Sequence, residues 1–285
     1  MRLAAVQLPG CSTDQAANIA LAEAAIRHAA AAGAKFIALP ELATTPYFCG
    51  APAGRFSHWA EAADGPMARR FGDLARDCGV FLLVPFYEHD PNTGWFHNAV
   101  LGFDPLGQPF RAGPIARKLH LPVGDDPPPG FNEPAHFTPG AGLEVFQAGP
   151  LRFGVLVCYD RRFPECWRAL RAAGAHLVVV PVAGSGGDDI DFFIGELRTH
   201  ARENGLAVLC ANKIGDEWVD GARIDNFGES CLIDADGTVL SRRTGAEGAG
   251  LVLGDLDADA IMAIRGRLHY FDHRRTDLFP GPSAA

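Results

Sequence analysis

The chain has no apolar run approaching the ~18 uncharged residues of a membrane-spanning helix, and its opening stretch MRLAAVQLPG is broken by Gln7. Neither a membrane anchor nor a secretion signal is expected, which points to the cytoplasm. Positive charge is in short supply: 25 Lys and Arg stand against 34 Asp and Glu, for a net charge of −9. Phosphate backbones are bound by clustered cations, so nucleic acid is not an expected partner, and any anionic ligand must be held by a few local cations. Paired cysteines are missing as well. The seven cysteines (11, 49, 78, 158, 166, 210, 231) are odd in number, scattered and free of any C-x-x-C. They signal neither a disulfide framework nor a zinc site, and reduced thiols fit best. Ten histidines show no H-E-x-x-H or comparable spacing. No metal and no cofactor is expected. Finally, no stretch reads as a linker between halves.

What is present is a 285-residue sequence, 48% hydrophobic and 21% charged, able to build a sizeable core. Strand-like and helix-like stretches alternate. RLAAVQ (2–7) reads as a strand, the alanine-rich stretch 14–32 as a helix capped by Ser12 or Thr13, and AKFIALPE (34–41) as a buried strand. A helix over 66–78 and a strand over 80–88 follow; two strands at 97–103 and 108–118 flank a DPLG turn. Residues 122–140 are rich in Pro and Gly but enclose FNEPAHFTPG, whose aromatic and charged residues suggest anchoring. Further strands are expected at 143–147, 153–157, 176–181, 206–214 and 250–257, with helices opening at 163–165 and over 188–204, and a hairpin in ESCLIDADGTVLSRR. The tail from about 266 reads as an extended arm. A single α/β domain spanning 1–285, with a mixed sheet or two sheets between helical layers, is the economical architecture.

Three polar residues end apolar strands: Glu41, Lys118 and Cys158. Strand exits are where ligand sites assemble in α/β folds. Each alone has a plainer reading, as a loop carboxylate, a solvated hairpin end and a core-filling thiol. Together they answer a chemical need. A cysteine with a pKa near 8.5 is only about 3% thiolate at neutral pH, so a nucleophilic thiol wants a base or a positive field beside it. Glutamate can serve if burial raises it, while Lys118, Arg161, Arg162 and a helix end would favour thiolate over thiol. Lysine would also stabilise the oxyanion formed when sulfur adds to a carbonyl, with the backbone N–H of Tyr159 as second donor.

The set FIALPE, RKLHLP and VLVCYDRRFPE resembles the nitrilase superfamily of carbon-nitrogen hydrolases, with FNEPAHFTPG, LRTHARENG, NFGESCLIDADGTVL and HRRTDLF extending the likeness over nearly the whole chain. The resemblance implies a four-layer αββα sandwich, commonly dimerised through the helices on the cysteine side, so a homodimer or higher homo-oligomer is expected. It implies Glu41 as general base, Lys118 as oxyanion cation, Cys158 as nucleophile and Glu133 as a second glutamate positioning substrate and lysine. CYDRRFPECWRAL looks most like the N-carbamoyl amino acid amidohydrolases, in which two arginines at this offset grip the substrate carboxylate. Paired guanidiniums at Arg161 and Arg162 suit that task, unless one of them salt-bridges Asp160 or Glu165 and braces the turn. Phe192 and Phe193 stand where those enzymes carry histidines, which suggests a more apolar pocket. The function expected is cysteine-dependent hydrolysis of a non-peptide C–N bond, with an N-carbamoyl amino acid as the small ureido substrate, giving ammonia, carbon dioxide and the amino acid. An amidase on a simple carboxamide, a nitrilase, and a silent scaffold relative are the alternatives. AGSGG (183–187) reads as pocket-rim backbone, because it lacks a G-x-S-x-G elbow.

Overall fold

The computed structural model describes residues 1–125, 130–184 and 189–278. In chain order it begins with β1 (Arg2–Pro9), α1 (Gln15–Ala31), β2 (Phe36–Ala38), α2 (Pro66–Cys78), β3 (Phe81–His89), β4 (Phe96–Phe103) and β5 (Ala116–Arg117). A small excursion follows, in which β6 (Val123–Gly124) pairs with β7 (Phe131–Asn132). Then come β8 (Phe146–Ala148), β9 (Leu151–Val155), α3 (Pro164–Ala172), β10 (Leu177–Val182), α4 (Ile190–Asn204) and β11 (Ala207–Val219). The chain closes with β12 (Ala222–Phe227), β13 (Ser230–Ile233), β14 (Val239–Arg243), β15 (Gly250–Asp255) and α5 (Ala258–Leu268).

Strands β5-β4-β3-β2-β1 lie side by side, with β15 antiparallel along β1; β8-β9-β10-β11 continue into β13 and β14 as a second sheet. The two sheets share one seam, where the end of β1 pairs in parallel with β11 through Leu8 to Lys213 and Pro9 to Ile214. Side chains alternate across each strand, and that alternation builds the layers. Leu3 and Ala5 of β1 turn inward with Phe36 and Leu83 to meet Phe153, Val179 and Leu209 of the other sheet. Ala4 and Val6 turn the opposite way, onto Ile26 of α1 and Phe71 of α2. Val178 and Val180 of β10 likewise face Trp167 of α3 and Leu197 of α4. Both faces of each sheet are therefore covered, which is why the parallel strands read as nearly continuous apolar runs. The result is the expected αββα sandwich.

Several local expectations need correction. The cap of α1 is Asp14, whose carboxylate accepts from the Ala17 N–H, because Ser12 is engaged with Asn18 instead. Of the strand expected over 108–118, only Ala116–Arg117 pairs with β4, apart from a lone bridge between Phe103 and Pro109. The strand expected at 143–147 narrows to Phe146–Ala148, and β11 runs on to Val219 to form a second hairpin with β12. α5 has no counterpart in the sequence reading; it buries Ile261, Ile264 and Arg265, and the described residues after it turn back, with Phe271 under the Arg171 guanidinium, instead of running out as the expected extended arm. Ser185, Gly186 and Gly187 of the AGSGG stretch, and residues 279–285 of the tail, lie outside the described residues.

Candidate active site

Glu41 leaves the sheet three residues beyond β2 and is completely buried. The turn that follows is sharp: Leu42 takes a left-handed backbone (φ 46°), an uncommon conformation for a branched residue and a mark of local strain. Every carboxylate contact of Glu41 comes from a different element. Its Oε1 accepts from the Asn98 side chain of β4 (2.7 Å) and from Lys118 Nζ (2.8 Å), and its Oε2 from the backbone N–H of Ala183 just past β10 (2.9 Å). That last contact needs a backbone pressed close. A Cβ on the next residue, Gly184, would lie 2.2 Å from the Phe227 ring.

Lys118 extends β5 by one residue. Its N–H donates to the Asn98 carbonyl (2.8 Å) and its own carbonyl accepts from Gly140 (2.9 Å), so the backbone is held on both sides. Its ammonium bridges two buried carboxylates, Glu41 and, at 2.6 Å, Glu133. Glu133 stands on a single 3-10 turn (Glu133–Ala135) anchored by Glu133 N–H to the Pro122 carbonyl and, one residue earlier, by Asn132 N–H to the Cys49 carbonyl. Those contacts are the anchoring that FNEPAHFTPG suggests. The Tyr47 hydroxyl donates to the same Glu133 oxygen at 2.9 Å.

Cys158 sits three residues beyond β9, in a 3-10 turn over Cys158–Arg162, and also has a left-handed backbone (φ 49°). Its thiol lies within reach of the charges of Glu41, Lys118 and Arg161. The buried Asp160 ties this turn to the lysine segment: it accepts from the Val157 N–H on one side and from the Leu119 and His120 N–H groups on the other, at 2.8 to 3.2 Å. The His120 ring also bonds Asp160 and stacks on Phe163 with ring centres 3.6 Å apart. Four sequence-predicted residues, Glu41, Lys118, Glu133 and Cys158, thus meet at one place.

Electrostatics differ from the sequence expectation in one respect. Burial pushes the Cys158 thiol up, and the charge of Glu41 adds to this; Lys118 and Arg161 oppose it but are outweighed, and the value rises to about 12. The resting group is a thiol. The turn that carries it is 3-10, and α3 begins only at Pro164. Glu41 moves the other way. Burial raises its carboxyl, but the charge and hydrogen bond of Lys118, with help from Cys158 and Asn98, hold it below the usual value. Burial also acts most strongly on Glu133, and with the Glu41 charge it overcomes Lys118 to push that carboxyl up to about 7. Lys118 itself stays firmly protonated, because Glu133 and Glu41 outweigh its desolvation.

Arg161 and Arg162 do not pair with Asp160 or Glu165 in the contacts described. Arg161 is buried against the turn, its guanidinium donating to the Cys158 carbonyl at 3.1 Å and lying 3.9 Å from Sγ. Both arginines face Glu196 of α4, at 3.1 Å for Arg161 and 3.8 Å for Arg162. Phe193 is fully buried beneath the Arg161 guanidinium, whereas Phe192 is exposed beside Arg162. Tyr159 meets Phe163 edge-on at 5.3 Å.

The carbon-nitrogen hydrolase family pattern matches residues 2–265. The chain belongs to this family. Among curated relatives, this carbon-nitrogen hydrolase is 32% identical to the N-carbamoylputrescine amidase of Solanum lycopersicum, over 97% of its own length and 93% of the relative's. It is 30% identical to the omega-amidase of Homo sapiens, over 98% and 96%. An amidase structure from Nesterenkonia sp. AN1, with the acetamide moiety of fluoroacetamide added covalently at the active-site cysteine, aligns with a TM-score of 0.76 at 27% identity, covering 98% of this chain and 95% of that one.

Three further contacts of the candidate site are less legible in the sequence. Asn98 lies within FHNAVLGF, beside His97, where a polar residue of a strand looks like an outward-facing position. Ala183 opens the AGSGG stretch that reads as pocket-rim backbone, and it contributes only its N–H to Glu41. Tyr47 lies in TTPYFCG, and nothing in that stretch tells which atom its hydroxyl meets.

Proposed function

We propose that this enzyme hydrolyses the ureido group of a small N-carbamoyl compound, and that Cys158 is the nucleophile. The observation that supports this most directly is a buried ammonium, Lys118, shared between two carboxylates beside a buried thiol on which Glu41 and Lys118 both act electrostatically. Glu41 takes the thiol proton as sulfur adds to the carbonyl carbon. Because the free thiol sits well above neutral pH, proton transfer and attack proceed together rather than from a standing thiolate. Lys118 and the Tyr159 N–H hold the developing oxyanion. The C–N bond then breaks, and the proton on Glu41 leaves with ammonia. Water, deprotonated by Glu41, attacks the thiocarbamate and restores the thiol. The released carbamate loses carbon dioxide and leaves an amine; where the substrate carries a carboxylate, that amine is an amino acid.

The arginine pair supports a carboxylate-bearing substrate, with Arg162 as the more accessible hand. A second reading is favoured by Glu196, which already faces both guanidiniums. There the arginines brace the nucleophile turn, and the substrate is a carbamoyl amine or a simple carboxamide. Ammonia release across carbamoyl amino acids, carbamoyl amines and short amides, measured for the wild type and Arg162→Gln, separates the two. The first reading expects KM for the carbamoyl amino acid to rise about tenfold or more in the variant, the loss of one charge-assisted contact. An unchanged KM selects the second. Cys158→Ala should abolish turnover in either case, and retained activity would refute the mechanism.

A further inference from the structure

Behind the site lies a second fully buried ion pair that the proposed chemistry does not use. Lys213 and Glu217 stand four residues apart on β11, their Nζ and Oε1 at 2.8 Å, with no exposed side-chain surface on either. Water-free ion pairs are poor sources of stability, so where their hydrogen bonds go is informative. Lys213 Nζ donates to the Thr45 carbonyl at 2.8 Å. Glu217 divides its oxygens: Oε1 accepts the Cys11 N–H and Oε2 the Tyr47 N–H, both at 2.8 Å. The approach is close enough to require glycine at position 10, where a Cβ would fall 2.9 Å from Glu217 Cγ and 2.5 Å from the Asp216 carbonyl oxygen. Two of the pair's outward bonds therefore end on the loop between Glu41 and Tyr47. From there the path continues through the Tyr47 ring to its hydroxyl, to Glu133 Oε1, and to Lys118 Nζ.

We infer that Lys213 and Glu217 are positioning residues, which clamp the 43–47 loop so that the Tyr47 hydroxyl holds Glu133 against the catalytic lysine. The inference rests on the proposed role of Lys118 and Glu133. Glu217 fixes the height of the Tyr47 backbone and Lys213 the preceding turn. Without them the tyrosine oxygen loses its register with Glu133. The groups facing Glu133 are Lys118, Glu41, Tyr47, Cys49 and Cys158; those facing the pair are Cys11 and, from further off, Glu41. Of these, Tyr47 is the group that links the two clusters by hydrogen bonds at both its ends.

A double-mutant cycle tests this. Wild type, Tyr47→Phe, Glu217→Gln and the double variant are compared by the pH dependence of Cys158 alkylation by iodoacetamide, followed on the Cys158 peptide by mass. No substrate is needed for this readout. Protonation of Glu133 removes a negative charge near the thiol, so it appears as an inflection in the alkylation profile. Loss of the tyrosine hydrogen bond should move that inflection upward by about one pH unit, the worth of one bond to a charged acceptor. The same shift is expected in both single variants, with no further shift in the double, and Lys213→Arg should retain the wild-type profile. Independent, additive shifts, or a Glu217→Gln profile like that of the wild type, would overturn the inference. Glu217→Asp, too short to serve both partners, is the second variant; failure of both Glu217 variants to fold would assign the pair to the fold alone and likewise overturn it. Should no amide or ureido compound be turned over by the wild type, the proposed function falls while the alkylation cycle still decides this inference.

Discussion

Two glutamates share one ammonium, and their surroundings drive their affinities for protons apart. Glu41 has three donors from three elements and stays ionised; Glu133, with a buried oxygen that has no hydrogen-bond partner among the described residues, is pushed up to about 7. The sign for stability follows from linkage. An unfolded glutamate ionises near 4.5 while folded Glu133 holds its proton to about 7, so folding is progressively disfavoured as pH rises through that window. The difference amounts to at most about 3 kcal/mol. Between pH 5 and 7.5 the wild-type urea midpoint should therefore fall relative to Glu133→Gln, and parallel midpoints would contradict the buried, proton-retaining Glu133. At this scale the candidate side chains that meet around Lys118 were largely legible in the sequence, because a charged residue or thiol ending a β-branched run is conspicuous. Asn98 was not, since an amide within a strand carries no signature in residue type, and AGSGG suggests main chain at the rim without telling that the Ala183 N–H meets Glu41. Nor is the left-handed turn at Cys158 visible, because it is imposed by the packing around it and not by a glycine.

Strands deliver these groups, and short connections aim them. Asp160 joins the exit of β5 to the exit of β9, so the spacing between Lys118 and Cys158 depends on one carboxylate accepting from two backbones. Asp160→Asn keeps the shape but turns one acceptor oxygen into a donor facing N–H groups. A loss of about 1–3 kcal/mol in stability is expected, together with a kcat lowered more than KM is raised, because Lys118 and Cys158, the groups proposed for the chemistry, separate. Calorimetry with steady-state kinetics checks both, and a change confined to KM would contradict it. The long apolar strands and α1 to α4 were readable from their periodicity. β5 is shorter than the alternation from Gln108 to Pro114 suggests, because that stretch meets β4 in a single bridge at Pro109, and α5 is hard to read although Asp257 caps it and Ile261 and Ile264 share a face. A single turn of apolar spacing is too weak a signal beside a strand.

Across the whole molecule the inner layer is what brings the halves of the site together. Phe153 of β9 meets Phe36 of β2 edge-on at 5.1 Å and touches Phe110 and Phe146, so one ring fills the space between sheets. Phe153→Ala should cost about 3–5 kcal/mol, seen as a lower urea midpoint, and should lower the temperature at which activity is lost. An effect below about 1 kcal/mol would mean that the sheets are held chiefly elsewhere. The alternation of apolar runs suggested helical layers about one sheet or two, and the family resemblance supplied the αββα order, but the seam was not anticipated, because nothing in the sequence marks which strand of one sheet meets which of the other. That seam has a further consequence for a protein being made. β1 is synthesised long before β11 and β15 and must wait for them to complete its borders. The candidate sulfur, carboxylates and ammonium all emerge in between, so the growing polypeptide carries them before the frame that brings them together is finished.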